Sequence, residues 1–135
     1  MSNVQVFVYG TLKPGEANYQ HYCQGKVRSQ VSAYTWGSLY HLSLGYPGMT
    51  EGKNKVRGVL LSFNDVNILS SLDGLESYQD NREFELNEYY RQQVPIYSLE
   101  DRLLGQAWAY FMTETKVREY SGIPVDSGWW TNLCI

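Results

Sequence analysis

The stretch from Val4 to Gly15 constrains the fold more than any other part of the sequence. Valines alternate with Gln5 and Phe7 in its first half, and β-branched and aromatic residues suit a pleated strand. Both faces of this strand are largely apolar, which is typical of a strand buried on both sides. Gly10 then interrupts the pattern, and Pro14 prevents a regular continuation. The sequence therefore predicts a buried strand that ends abruptly at a glycine turn.

The turn at Gly10 has two interpretations. Glycine and proline most often mark a simple tight turn, and the residues alone favour that interpretation. The alternative is functional: the backbone N–H groups of Gly10, Thr11 and Leu12 lose their ladder partners and form a concavity that binds an anion. Composition and pattern leave both possibilities open.

Length, charge and hydropathy exclude several classes of protein. A chain of 135 residues is expected to form one domain, 1–135, with a proper hydrophobic core. A net charge of −3 argues against a nucleic-acid partner, which requires a basic face. No apolar run reaches the roughly 18 residues of a membrane span, and no signal peptide is visible. We therefore expect a cytoplasmic protein without membrane contact. Its twelve tyrosines and four tryptophans favour a β-rich core or a ligand cleft.

Metal-binding and cofactor motifs are missing from the sequence. Cys23 and Cys134 are far apart and are interpreted as free thiols rather than a bridge. His21 and His41 lie outside any metal-ligand spacing and are interpreted as surface or strand residues. Neither a dinucleotide or phosphate loop nor a serine-hydrolase elbow occurs. No cofactor and no metal are expected.

Alternating and helical patterns predict a barrel. The sequence predicts further strands at Val27–Ser43, Val56–Phe63, Tyr89–Tyr97 and Gln106–Met112, of which the first is one long strand or a bent pair. It also predicts a Tyr-Pro turn at Gly45–Met49, a helix capped at Asn64-Asp65 and ending near Gly74, and an irregular tail at Lys116–Asn132. Gly37 is expected to mark a bulge or a close backbone approach. The fold class is α+β: a small mixed, mostly antiparallel β-barrel of five to six strands with one or two flanking helices.

Several blocks, in the right order, resemble the γ-glutamylcyclotransferase-like superfamily and its AIG2-like branch. The blocks are Val8–Gly15, Trp36–Tyr40, Gly45–Gly48, Val56–Leu60, Leu72–Tyr78, Tyr90-Arg91, Val94–Tyr97, Ala109-Tyr110, and Ile123 with Ser127–Trp130. Ser77 stands where the family usually has Gly, Trp129 stands where it often has Asp, and the polar Gln79–Asn87 stretch is longer than the common form. The resemblance spans nearly the whole chain.

The resemblance implies an amide-cleaving enzyme that cyclises a γ-glutamyl group to 5-oxoproline and releases an amine. It places Glu76 at the position of the catalytic glutamate, the general base and then the general acid. From the residues alone, Glu76 is a surface residue at a helix end, although the neighbouring Leu72 and Leu75 favour a raised pKa. Asp73 is interpreted as a solvent-facing or capping residue rather than a partner acid.

The resemblance also implies a substrate site. The backbone of Tyr9, Gly10, Thr11 and Leu12 would hold the substrate α-carboxylate. Tyr46-Pro47 and Tyr110 are candidates for lining the cleft, with core packing as an equally weighted alternative. The expected partner is a small γ-glutamyl compound, and the chain is expected to be a monomer or a homodimer. A non-catalytic module that binds a γ-glutamyl or carboxylate metabolite in the same cleft is the alternative function.

Overall fold

The computed structural model describes residues 4–14, 16, 19, 23, 25–64, 67–75 and 89–131. Within these residues the elements are β1 (Val4–Val8), β2 (Val27–His41), β3 (Pro47–Phe63), α1 (Ile68–Leu75), β4 (Tyr90–Ser98), β5 (Leu103–Phe111), α2 (Glu114–Glu119) and β6 (Ile123–Pro124).

Five strands close into a barrel in the order β3-β1-β5-β4-β2, and β2 pairs with β3 to complete the ring. Strands β1 and β5 run parallel, and the other neighbouring pairs are antiparallel. Strand β6 adds to β2 outside the ring, where Tyr40 pairs with Pro124. Across the described ranges, the mixed, mostly antiparallel barrel with helices α1 and α2 beside it confirms the predicted fold class.

The two faces of β1 separate the two hydrophobic cores. Phe7 belongs to a cluster with residues from all five barrel strands, so it faces the barrel interior. Val6 and Val8 belong to a second cluster, the helical-layer core, which contains Leu72 of α1 and Val117 of α2. Val6 and Phe7 are at most 1% exposed, so the prediction of a strand buried on both sides is confirmed. The turn at Gly10, which follows this strand, therefore lies between the barrel and the layer formed by α1 and α2.

The predicted Tyr-Pro turn is shifted in the structure. The turn covers residues 42–46, where the Leu42 N–H donates to the Tyr46 carbonyl over 3.0 Å, and Pro47 to Met49 already belong to β3. Proline is acceptable as the first residue of a strand because its missing N–H removes no ladder bond there. Pairing with the end of β2 therefore overrides the turn-forming tendency of Pro47 and Gly48.

The predicted irregular tail contains the helix α2 and the short strand β6. The side chain of Thr113 caps α2 by accepting a hydrogen bond from the Lys116 N–H over 3.2 Å. Six residues are too few to show an apolar stripe, so the sequence pattern could not distinguish this helix from a loop. At Gly37 the prediction is confirmed: the register with β3 shifts between Gly37 and Ser38.

The thiol of Cys23 is buried in the helical-layer core and is free. Desolvation by burial raises the pKa of Cys23 from 9.0 to about 11. The thiolate is the reactive form, so a rise of this size lowers labelling of the native thiol at pH 8 about 100-fold. We expect Ellman's reagent to label Cys23 about 100-fold more slowly in native Cys134→Ser protein than in the same protein unfolded in urea.

The same shift makes stability depend on pH. Between pH 9 and pH 11 the thiol ionises in the unfolded chain but not in the native one, so the free energy of unfolding decreases as the pH rises. Equal labelling rates in the native and unfolded protein at pH 8 would contradict this assignment.

Candidate active site

A cavity of about 210 Å³ lies at the end of β1, beside the turn that follows this strand. Eleven described residues line the cavity: Phe7, Val8, Tyr9, Gly10, Thr11, Leu12, Tyr46, Pro47, Leu75, Tyr89 and Tyr110. They come from β1 and the turn after it, the β2–β3 turn, the start of β3, the end of α1, the residue before β4, and β5. The wall is mainly aromatic and aliphatic with a few polar groups, as in small-molecule sites generally.

The structure brings the sequence-predicted binding residues together around this cavity. Tyr9, Gly10, Thr11 and Leu12 line one side, and the three cleft candidates, Tyr46, Pro47 and Tyr110, line it as well. Residues separated by about 100 positions in the chain therefore share one hollow. Their role in holding a substrate stays a prediction.

Glu76 lies outside the described residues, as do Ser77 and the Gln79–Asn87 stretch. Leu75, which immediately precedes Glu76 in the chain, is a wall residue of the cavity. The catalytic role of Glu76 stays a prediction.

Buried tyrosine hydroxyls hold the cavity wall in place. Tyr9 donates a 2.6 Å hydrogen bond to the Tyr110 carbonyl, which joins the end of β1 to β5. Tyr89 donates a 2.6 Å hydrogen bond to the Pro47 carbonyl, which joins the start of β4 to β3. Tyr9, Tyr89 and Tyr110 are each at most 6% exposed. Each of the two hydrogen bonds connects elements far apart in the sequence, so the wall forms only when the barrel closes.

Asp73 has a different role from the one predicted. Its Oδ1 accepts a 2.6 Å hydrogen bond from the Tyr110 hydroxyl and forms a 2.9 Å ion pair with the Arg91 Nε. The side chain of Asp73 is 19% exposed, so it is neither a free surface residue nor a helix cap. The interpretation as a solvent-facing or capping residue is therefore wrong. The sequence gives no local sign of these partners, because Arg91 and Tyr110 lie on other elements.

Sequence reasoning also missed Lys13, which is 1% exposed. Its Nζ donates to the backbone carbonyl of Trp130 and lies 3.5 Å from the centre of the Trp129 indole ring. The N–H of Lys13 donates to the Gly10 carbonyl over 3.0 Å, which closes the turn. Lys13 therefore connects the turn that follows β1 to Trp129 and Trp130 through a charge-assisted hydrogen bond and a cation–π contact. A buried lysine is rare, and only the neighbouring Pro14 hints at a special turn.

Replacing Lys13 with methionine is expected to destabilise the protein. The Lys13→Met variant keeps the aliphatic stem but removes the donor to the Trp130 carbonyl, and a buried acceptor that loses its partner costs about 1–3 kcal/mol. Urea unfolding followed by tryptophan fluorescence measures the loss. Lys53→Met, at an exposed position of β3, is the matched control and should change the free energy of unfolding by less than about 0.5 kcal/mol.

The described part of the chain contains no cluster of three or more His, Cys, Asp or Glu side chains that could hold a metal. His41 instead accepts a 2.9 Å hydrogen bond from the Trp130 indole at its Nδ1. None of the helices in the described ranges is long and apolar enough to cross a membrane.

Comparison with known proteins places this barrel and its cavity in a family. Residues 6–132 match the model of the family described as gamma-glutamyl cyclotransferase, AIG2-like. The chain is 34% identical over 128 residues to a protein of Vibrio cholerae serotype O1 that carries the name "Putative gamma-glutamylcyclotransferase", with 93% of each chain covered. The chain belongs to the AIG2-like gamma-glutamyl cyclotransferase family, as its sequence resemblance indicated.

Two solved structures show the same fold. An AIG2-like protein from Mus musculus superposes with a TM-score of 0.71 at 23% identity, and the match covers 97% of this chain and 90% of the mouse chain. YkqA from Bacillus subtilis superposes with a TM-score of 0.65 at 24% identity, and the match covers 96% of this chain. This chain spans only 40% of the length of YkqA.

Proposed function

We propose that this protein converts a γ-glutamyl amino acid or γ-glutamylamine to 5-oxoproline and a free amine. One observation carries the proposal: the backbone that follows β1, the cleft tyrosines and the residue preceding Glu76 line the same cavity. The family match and the name of the Vibrio cholerae relative support γ-glutamylcyclotransferase activity in general.

In the proposed reaction the substrate supplies its own nucleophile. The α-amino nitrogen attacks the γ-carbonyl carbon, a new C–N bond closes the lactam ring, and the original amide C–N bond breaks. Because both reacting groups belong to one molecule, correct orientation alone contributes up to roughly 7–11 kcal/mol. Backbone N–H groups of Gly10–Leu12 are the proposed donors to the α-carboxylate, which would aim the amine at the carbonyl.

Proton transfer is the remaining task, and we assign it to Glu76. Its carboxylate would take one proton from the α-ammonium before attack and pass it to the leaving amine nitrogen. It would then transfer the second proton of the ring nitrogen to the same amine, which departs as an ammonium ion. The overall reaction then consumes no external proton donor and needs no nucleophile from the enzyme. The largely apolar wall supports this chemistry because it solvates the reacting charges less well than water does.

A panel of γ-glutamyl compounds tests the proposal. The panel includes γ-glutamyl amino acids, a lysine side-chain γ-glutamyl isopeptide and a γ-glutamyl polyamine, and 5-oxoproline release is measured by chromatography. We expect release from at least one class, with a stoichiometric amount of free amine. Saturable binding without release would instead support the non-catalytic binding module, and neither binding nor release would overturn both functions.

A further inference from the structure

Asp73 connects the cavity wall to the helix that precedes Glu76. Its single oxygen Oδ1 accepts from the Tyr110 hydroxyl at 2.6 Å and from the Arg91 Nε at 2.9 Å. The side chains of Asp73 and Arg91 are only 19% and 17% exposed, so solvent screens this contact less than it screens a surface ion pair. Arg91 is itself held, because its guanidinium lies 4.5 Å from the centre of the Trp108 ring.

The charge of Asp73 determines which way the Tyr110 proton points. An ionised carboxylate only accepts hydrogen bonds, so Tyr110 must donate its one hydroxyl proton to Asp73. The Tyr110 oxygen then has only lone pairs for any other partner. Within a cavity that Tyr110 lines, such an oxygen suits a ligand N–H group and disfavours a carboxylate.

The same hydrogen bonds couple three elements around the cavity. Tyr9 at the end of β1 donates to the Tyr110 carbonyl, Tyr110 of β5 donates to Asp73, and Asp73 belongs to the last turn of α1. Leu75, two residues after Asp73, lines the cavity. A shift of the end of α1 would therefore stretch the 2.6 Å bond to Tyr110 and move the wall.

We propose that Asp73 is a positioning residue of this site. It orients the Tyr110 hydroxyl so that its oxygen accepts a hydrogen bond from the substrate α-ammonium. It also fixes the end of α1, from which the chain continues to Glu76. This inference rests on the proposed function. It adds to that function the group that meets the ammonium and the side chain that orients it.

The Asp73→Asn variant tests the proposal because asparagine keeps the shape but not the charge. We expect kcat/KM for 5-oxoproline release to fall about 10- to 100-fold, with a decrease in kcat at a temperature where both proteins are folded. A merely structural role would lower the melting temperature and leave kcat unchanged. The double variant Asp73→Asn/Tyr110→Phe should be no slower than Tyr110→Phe alone, since the two side chains act as one unit.

A second tyrosine–carboxylate–cation triad provides the matched control. The Tyr34 hydroxyl donates to the Asp101 Oδ1 over 2.6 Å, and the Lys55 Nζ lies 3.0 Å from the same oxygen. Tyr34 is buried, whereas the side chains of Lys55 and Asp101 are 49% and 63% exposed, and none of the three lines the cavity. The hydrogen bonds from Tyr34 and Lys55 hold the pKa of Asp101 below its ordinary range. Tyr34→Phe should leave kcat/KM within about two-fold of the parent, because Tyr34 does not line the cavity.

A readout without turnover separates this inference from the proposed function. We expect the methyl NMR signals of Leu75 to shift in Asp73→Asn and to stay in place in Tyr34→Phe. An unmoved Leu75 signal in folded Asp73→Asn, or an unchanged kcat, overturns the positioning role. A parent protein that releases no 5-oxoproline overturns the proposed function instead, and the Leu75 signals then decide the positioning role alone. If the Asp73→Asn variant does not fold, the same measurements are made on Arg91→Lys, because lysine keeps the positive charge but lacks the Nε donor.

Discussion

Glu76→Gln is expected to reduce 5-oxoproline release by about 10²–10⁴-fold, the range that a positioned acid–base group contributes. Glutamine keeps nearly the shape of glutamate but cannot take a proton from the substrate ammonium. Orientation by the cavity would persist, so substrate binding should change far less than kcat. Steady-state kinetics on the best compound of the panel, together with a binding titration, separate the two effects.

Glu119→Gln is the matched control for this experiment. Glu119 ends α2 at an exposed position outside the cavity wall, so its neutralisation should leave kcat and KM unchanged. Both variants must show the melting temperature of the parent within a few degrees. A Glu76→Gln protein that folds and releases 5-oxoproline at the parental rate would remove Glu76 from the mechanism.

Gly10→Val is expected to lower kcat/KM by about 100-fold or more, because misplacement by about 1 Å can cost that factor. A Cβ atom at position 10 would lie 2.6 Å from the Pro47 Cγ and 3.0 Å from its Cδ. The proline ring is rigid and buried, so the turn or β3 must move. Since both line the cavity, the binding site changes shape, and overpacking also costs about 1–3 kcal/mol of stability.

Two substitutions distinguish the backbone of the turn from its side chains. Thr11→Ala changes only a side chain next to Gly10, and we expect a smaller loss than for Gly10→Val because the proposed contacts are to the backbone. Gly74→Ala lies in α1, where no described atom comes within 4 Å of the added Cβ, and should stabilise the helix by roughly 0.5–1 kcal/mol. Unchanged kinetics in folded Gly10→Val would contradict the assigned turn geometry.

Alternation in the sequence predicted the strands because burial repeats every two residues along them. In β5 and the residue after it, Ala107, Ala109 and Phe111 join the barrel interior, while Tyr110 and Met112 join the helical-layer core, as their alternation predicts. The stripe around Leu72 likewise predicted α1 and its buried face. These local patterns predict strands and helices without information on which strands pair with each other.

The contacts that form the candidate site could not be predicted in this way. Lys13 meets Trp130 across 117 residues, and Tyr9 meets Tyr110 across 101 residues. Asp73 acquires Arg91 and Tyr110 only when β4 and β5 pack beside α1. Pro47 was predicted in a turn because its local preference was known and its pairing with β2 was not.

The sequence by itself determined the strand that ends at Gly10, the barrel class and, through family resemblance, the residues to examine for chemistry. Only the tertiary structure decided that the predicted cleft residues share one cavity, that Lys13 is buried, and that Asp73 accepts a hydrogen bond from Tyr110. The physical reason is that the pattern of buried residues repeats along each strand and helix and can be read from neighbouring positions. The hydrogen-bond partners of a side chain are set instead by barrel closure, which brings distant residues within 3 Å of one another.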